Sequence, residues 1–306
     1  MATPRYLLVD PELPGHYHLV SRCVRRSFLC GRDPVTGRDY SHRKELLQER
    51  LMRLARAFPI DLHGFAIMDN HFHIVVHYDP LAHQGWSDFE VARRWLAASA
   101  PQTVLEDPGR LHTATQALLD DPKTLEKRRR RLGSLSAFMQ QLKQPIARIA
   151  NQEDCCKGHF FEQRFYSGAL LSENALVAAM AYVDLNPVRA RIAKDISSIQ
   201  FTSLTLRLQE NTPERLKAAI APIASGLDLD TESTKLRITM SEYLKLLRDL
   251  IALQSADKPP LVSPEVRGWE ARVRCISKPQ RAFGTEVELN RWLSKRRMDR
   301  RETPFE

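Results

Sequence analysis

The stretch that most limits how this chain can fold is Met68-Asp69-Asn70-His71-Phe72-His73-Ile74-Val75-Val76-His77. Asp-Asn between two apolar runs predicts a two-residue hairpin turn, because both residues tolerate positive φ. The run that follows predicts a strand with side chains alternating between faces. His71 and His73 then share a face, about 7 Å apart along the strand. His77 lies on it too, whereas Phe72 and Ile74 point the other way. Taken alone, two such imidazoles read more readily as a solvated or hydrogen-bonded pair than as a site. A zinc site that included His77 would ask one straight strand for three tetrahedral ligands, which it supplies poorly. His63, on the preceding strand, reads as structural.

The elements around this hairpin can be placed by period and punctuation. Residues 16–24 predict a first strand. Residues 33–40 form a turn-rich connection. Ser41 caps an amphipathic helix running to about Phe58, with Leu46, Leu47, Leu51, Leu54 and Ala55 on one face. Residues 60–67 form the strand that enters the hairpin. Residues 158–166 alternate aromatic and polar side chains and predict another strand. Ser172 then caps a helix through Leu176, Met180 and Val183 that ends at Asn186, where Pro187 stops it. A further helix over about 134–151 carries Leu135, Phe138, Met139, Leu142 and Ile146, with Pro145 as a kink or stop. The resulting order is strand, helix, strand, strand, helix, strand, helix. It is the split β-α-β order of a ferredoxin-like α+β sandwich with an antiparallel sheet and one added helix.

Two stretches fall outside that order. Residues 79 to about 133 read as a helical insertion, with a capping box at Ser87-Asp88-Phe89-Glu90 and a helix after Asp121-Pro122 that ends in Lys127-Arg128-Arg129-Arg130-Arg131. Residues 209–306 read as a helical C-terminal module of open role. Its helices are expected at Thr212-Pro213-Glu214, at about 241–254 and after the box Thr285-Glu286-Val287-Glu288, with a break at Pro259, Pro260 and Pro264. The ferredoxin-like unit, with its insertion, is therefore expected within residues 1–208.

Charge narrows the partners. Lys and Arg outnumber Asp and Glu by 46 to 37, giving +9 and a pI near 9.5, which suits a polyanion, nucleic acid first, and on charge alone equally a basic but inert surface. No apolar run approaches the ~18 residues of a membrane span. The start lacks a signal-peptide layout. The five cysteines contain no Cys-x-x-Cys pair, so a disulfide framework or structural zinc is not expected. These features predict a soluble cytoplasmic protein without a membrane partner.

On the helix after Ser172, Tyr182 and Asn186 are four residues apart and share a face, with the small Ala175 and Ala179 on the same stripe. A phenol and an amide at the rim of a sheet, facing two strand histidines, can hold a divalent cation and offer a nucleophile. Tyr166, at the end of an aromatic-rich stretch, reads as packing. Tyr17, Tyr40 and Tyr78 lack a polar partner at helical spacing. Asp184 points away from the Tyr182/Asn186 face and reads as surface. The basic run at 127–131 is either a solvated face or a phosphate clamp.

These residues resemble a known family. His71-Phe72-His73 after the Met-x-Asn turn, Phe161-x-Gln-Arg-Phe-Tyr166 and Tyr182-Val-Asp-Leu-Asn-Pro-Val-Arg-Ala190 are similar to the HUH-type single-tyrosine transposases, nearest the REP-associated branch. The resemblance spans about residues 14–207, apart from the insertion. It implies a metal-dependent enzyme that cleaves and rejoins single-stranded or hairpin DNA. Tyr182 would attack a phosphodiester, leaving a 5′-phosphotyrosine link and a free 3′-hydroxyl. His71, His73 and Asn186 would hold Mg²⁺ or Mn²⁺. Arg164 and Arg189, within the motifs, and Arg128, Arg129 and Arg130 are candidate DNA-backbone contacts. Relatives act as monomers or homodimers. Imidazole's ordinary pKa of about 6.5 predicts loss of metal and activity below that pH. Two other readings are a DNA-hairpin-binding protein that no longer cuts and an RNA-recognition sandwich with exposed aromatics on its central strands.

Overall fold

The structure is a computed structural model that describes residues 3–24, 30–33, 37–162, 164–209, 219–221, 223–224, 236–255 and 263–305. After a single-turn helix α1 (Arg5–Leu8), strand β1 (Gly15–Arg22) leads to helix α2 (His42–Ala55) and the hairpin of β2 (Ile60–Ile67) and β3 (His71–Tyr78). The insertion follows as four helices, α3 (Asp88–Ser99), α4 (Gln102–Leu105), α5 (Pro108–Leu119) and α6 (Pro122–Leu132). Helix α7 (Leu135–Glu153), strand β4 (Tyr166–Leu170) and helix α8 (Glu173–Asp184) come next. The remaining described elements are α9 (Asn186–Arg189), α10 (Ser203–Leu208), the short strands β5 (Ile223–Ala224) and β6 (Leu236–Thr239), α11 (Met240–Ser255), α12 (Pro264–Ile276), β7 (Ala282–Phe283) and α13 (Glu286–Lys295).

The main sheet runs β2-β3-β1-β4, antiparallel throughout, with β7 added parallel to β4 at the edge. The first four strands are in the ferredoxin-like order, so the α+β class expected from the sequence is the class observed. Alternation sorts the strands' side chains between two cores. Leu19, Phe72, Ile74 and Val76 pack with Leu47, Leu51 and Leu54 of α2 and Phe138, Leu142 and Ile146 of α7. Ala66 and Val75 lie on the other face, in a core with Leu176, Met180 and Val183 of α8, Tyr243 and Leu247 of α11 and Val273 and Ile276 of α12. The added helix α8 thus covers the face that carries the histidines. Helices on both faces leave no open platform of the kind an RNA-recognition sandwich presents. No described helix is long and apolar enough to cross a membrane.

Local details differ from expectation for identifiable reasons. Neither Asp69 nor Asn70 has positive φ. Their carbonyls accept from the N–H groups of Cys30 and Cys23, at 2.8 Å each, and these tertiary bonds shape the turn. The described residues of 158–165 form no strand. Phe160, Phe161 and Phe165 are buried, but among the described residues the backbone makes one bridge, Cys23 to Phe161, and β4 begins only at Tyr166. Aromatic alternation there reflects a wedge into the core, not a ladder. Pro187 does not stop a helix that includes Asn186: α8 ends at Asp184, Leu185 caps it, and Asn186-Pro187 opens the next turn, where proline needs no N–H. Pro145 lies inside the continuous α7. The Thr212-Pro213-Glu214 helix and the Pro259-Pro260 break lie outside the described residues, while Pro264 opens α12.

Candidate active site

Strands β1 and β3 pair with Val20 opposite His73 and His18 opposite Val75, which makes His18 the diagonal neighbour of His73 on the α8 side of the sheet. Their rings stack at 5.1 Å with 17° between planes, and His18 Nε2 lies 2.9 Å from His73 Nδ1. His71 Nδ1 lies 2.6 Å from Asn70 Oδ1 in the turn. Each β3 imidazole therefore has its Nδ1 engaged, leaving Nε2 for another partner. The Asn186 amide takes that position at His73, its Nδ2 3.4 Å from His73 Nε2. A half-turn of the amide exchanges Nδ2 for Oδ1 at the same place.

Tyr182 comes from the last turn of α8. Ser172 sets the helix start by accepting from the Ala175 N–H, and Leu176, Met180 and Val183 bury its inner stripe. The Tyr182 ring stands edge-on to His73 at 5.4 Å and to His18 at 5.9 Å. It is half-buried, and its hydroxyl has no hydrogen-bond partner among the described residues. The exposed Arg189 guanidinium sits 5.2 Å from the ring centroid. One chain supplies the tyrosine, the histidines and the amide.

Asp184 is not at the surface. It is fully buried: Oδ1 accepts from Ser203 Oγ at 2.7 Å and from the Leu204 N–H at 3.1 Å, and Oδ2 accepts from the Tyr243 hydroxyl at 2.7 Å. Burial raises its pKa despite these donors. The carboxylate joins α8, α10 and α11 two residues beyond Tyr182 and two before Asn186. A buried carboxylate with three donors costs far less than an unpaired one, and losing it would strand those donors. The end of the helix is thereby fixed against two other elements.

The three site histidines are neutral at physiological pH. Burial lowers His18 to about 3. Burial, then the charge of Arg22, lowers His71 to about 4. His73 falls well below the ordinary value through burial, then through His18, His71 and Arg22. The acid limb expected near 6.5 is therefore displaced downward, and the lone pairs a cation needs are present well below neutral pH. A cleft of about 340 Å³ opens beside His18 and His73, bordered also by Arg22, Arg164, Tyr182 and Lys278, with Glu162 on its wall; His71 and Asn186 are not among the residues that line it.

Other sequence candidates fall in different places. Arg164 is at the cleft, its guanidinium also donating to the Thr3 carbonyl. Arg128, Arg129 and Arg130 do not border it. Arg128 lies over Trp95 at 4.6 Å, Arg129 pairs with Asp88 at 2.6 Å and with the Trp86 carbonyl at 2.5 Å, and Arg130 pairs with Glu126 at 2.8 Å. The run thus has partners inside the insertion. Tyr166 borders the cleft, but its hydroxyl is committed to the Gln280 carbonyl and burial raises its pKa. His63 is fully buried. His77 belongs to a separate group, its Nδ1 3.1 Å from Asp61 Oδ2 and its ring 4.9 Å from His16. Among the described residues no three His, Cys, Asp or Glu side chains converge as a metal group. The third member beside the two histidines is an amide, so the residues that could hold a cation are His71, His73 and Asn186, of which His73 borders the cleft. Engagement of the second nitrogen of each imidazole is what orients a ligating histidine. Two imidazole nitrogens and one amide oxygen are a nitrogen-rich set, which a transition ion accepts more readily than a hard, oxygen-seeking one.

No family model matches the chain, and no curated protein matches it. Among solved structures, one of a REP-associated tyrosine transposase bound to a REP hairpin is similar at 14% identity and a TM-score of 0.33, covering 73% of this chain and 92% of that one. At that score, function has to be read from this chain's own residues.

Proposed function

We propose that this cleft cleaves and rejoins single-stranded or hairpin DNA through Tyr182, as a metal-dependent transposase does. One observation carries the reading: a tyrosine hydroxyl without a partner among the described residues stands over an imidazole pair in a cleft edged by Arg22, Arg164 and Lys278. Tyr182 Oη attacks the phosphorus, and its proton passes to water. The bond from phosphorus to the 3′ oxygen breaks, the 3′ oxygen takes up a proton, and the 5′ side remains esterified to Tyr182. Reversal with a new 3′-hydroxyl rejoins the strand without an outside energy source. Arg189 lies over the Tyr182 ring, and the cations at the rim favour the doubly charged transition state.

A Mg²⁺ or Mn²⁺ ion held by His71, His73 and Asn186 would supply neutralisation of the phosphoryl oxygens. These ligands bring no negative charge of their own. Such a set binds weakly until a DNA phosphate adds its charge, so a tightly bound stoichiometric Mg²⁺ in the free protein would count against it. The neutral histidines and the amide do the holding; Asp184 and His18 keep them in place.

The test is a denaturing gel of protein incubated with labelled hairpin and single-stranded DNA and Mn²⁺. A covalent protein–DNA band is expected, lost in Tyr182→Phe and kept in Tyr166→Phe. A band that survives Tyr182→Phe removes the nucleophile assignment. Tight hairpin binding with no band under any metal would instead identify a binder that does not cut.

A further inference from the structure

The cleft has a wall that does not come from the sheet. Ile276, Ser277, Lys278 and Pro279, which end α12 and follow it, face Tyr182 and His73 across the opening. This wall is built firmly. The Ser277 and Lys278 N–H groups donate to the Arg274 and Cys275 carbonyls at 3.2 and 3.0 Å. Gln280 is buried, its amide donating to Cys275 Sγ at 3.1 Å and accepting from the Thr303 N–H. Its carbonyl accepts the Tyr166 hydroxyl, and β7 then pairs with β4 through the Ala169 N–H to the Arg281 carbonyl at 2.9 Å. Lys278 is therefore displayed on a braced segment. It is exposed and has no carboxylate partner among the described residues.

Three cations at sequence-distant positions meet at this cleft: Arg22 at the end of β1, Arg164 before β4 and Lys278 after α12. Against them stands one carboxylate, Glu162. The net positive rim suits phosphates on either side of the reacting one. The volume, near the low end for small-ligand pockets, suits one extruded nucleotide better than a base pair.

We infer that the segment 276–279 is the substrate-facing wall of the cleft and that Lys278 holds a phosphate of single-stranded DNA flanking the one cleaved, opposite Arg22 and Arg164. This rests on reading the cleft as a DNA-cleaving site. It assigns the C-terminal part of the chain a direct part in substrate binding.

The measurement is the affinity of a fluorescent single-stranded oligonucleotide, by anisotropy at increasing salt, in a Tyr182→Phe background that prevents cleavage. Lys278→Ala should weaken binding several-fold at low salt and reduce the slope of log K against log salt by about 0.7, the contribution of one phosphate contact on a single strand. Lys278→Arg should restore both. Lys245→Ala, a substitution away from this cleft, should change neither. An unchanged slope and affinity in Lys278→Ala overturns the inference even if the Tyr182-competent chain forms its covalent band normally. Absence of oligonucleotide binding and of any covalent band in the unsubstituted chain overturns the cleavage reading as well.

Discussion

The face of the sheet under α8 carries two groups of three histidines, one at each end. At the cleft end His18 comes from β1 and His71 and His73 from β3. At the far end His16 comes from β1, His63 from β2 and His77 from β3, with ring centroids 4.9 Å apart for His16 and His77 and 5.3 Å for His16 and His63. The imidazole count is the same, but their partners differ. At the far end a carboxylate, Asp61, takes His77. His63 sits at a register shift in β2, fully buried, with neither ring nitrogen bonded. At the cleft end the rings meet neutral partners, the Asn70 and Asn186 amides and one another, below a phenol with no hydrogen bond among the described residues. Histidines on a strand therefore do not define a site. The helix end that reaches them, and the charge of what it brings, does.

That contrast can be broken first at the level of chemistry. His73→Ala should lower covalent-band formation by roughly a thousandfold or more, since it removes a ligand of the ion that would offset phosphoryl charge. His77→Ala should leave the rate within about twofold, the scale of a surface substitution away from the site. Equal losses would erase the distinction between the ends.

A smaller effect tests the support beneath the cleft pair. His18→Phe keeps a ring but removes the bond to His73 Nδ1. Activity should fall by up to about a hundredfold, with a higher Mn²⁺ concentration needed for half-maximal rate, as for loss of a partner that orients a metal-ligating histidine. Unchanged Mn²⁺ dependence would reduce His18 to packing.

The far end should show its nature in acid stability. Burial lowers His63 to about 3. Below the ordinary value of about 6.5, the unfolded chain takes up a proton there that the folded chain does not. Stability is therefore full above about 6.5 and declines as pH falls toward about 3. The decline from this group is about 2 kcal/mol at pH 5, and negligible at pH 7.5. His63→Leu should remove that much of the difference between urea midpoints at the two pH values. A difference identical to that of the unsubstituted chain would show that His63 is not buried in neutral form.

Much of this arrangement was legible in the sequence because it rests on two periodicities. Alternation along 71–77 put His71 and His73 on one face, and the four-residue spacing of Tyr182 and Asn186 put them on one side of a helix end. These four side chains do meet. His18 was hidden because alternation places it on a face without revealing its neighbour. Only the β1–β3 register, Val20 against His73, makes it diagonal to His73. Asp184 was misjudged for a related reason. A carboxylate on a helix is ordinarily solvated, and its burial depends on Ser203, Leu204 and Tyr243, which no local pattern links to it. Lys278 likewise reaches the cleft only because β7 joins the sheet edge. The stretch 158–166 is the opposite case: its alternation predicts a ladder, and its described residues before Tyr166 make only the bridge from Phe161 to Cys23.

The account stands on Tyr182 being the atom donor to phosphorus. The most direct measurement is proteolysis of the covalent protein–DNA product, followed by mass spectrometry of the nucleotide-bearing peptide. The expected result is a nucleotide mass carried through its 5′-phosphate on Tyr182. The same mass on Tyr166, or on any other residue, would contradict it.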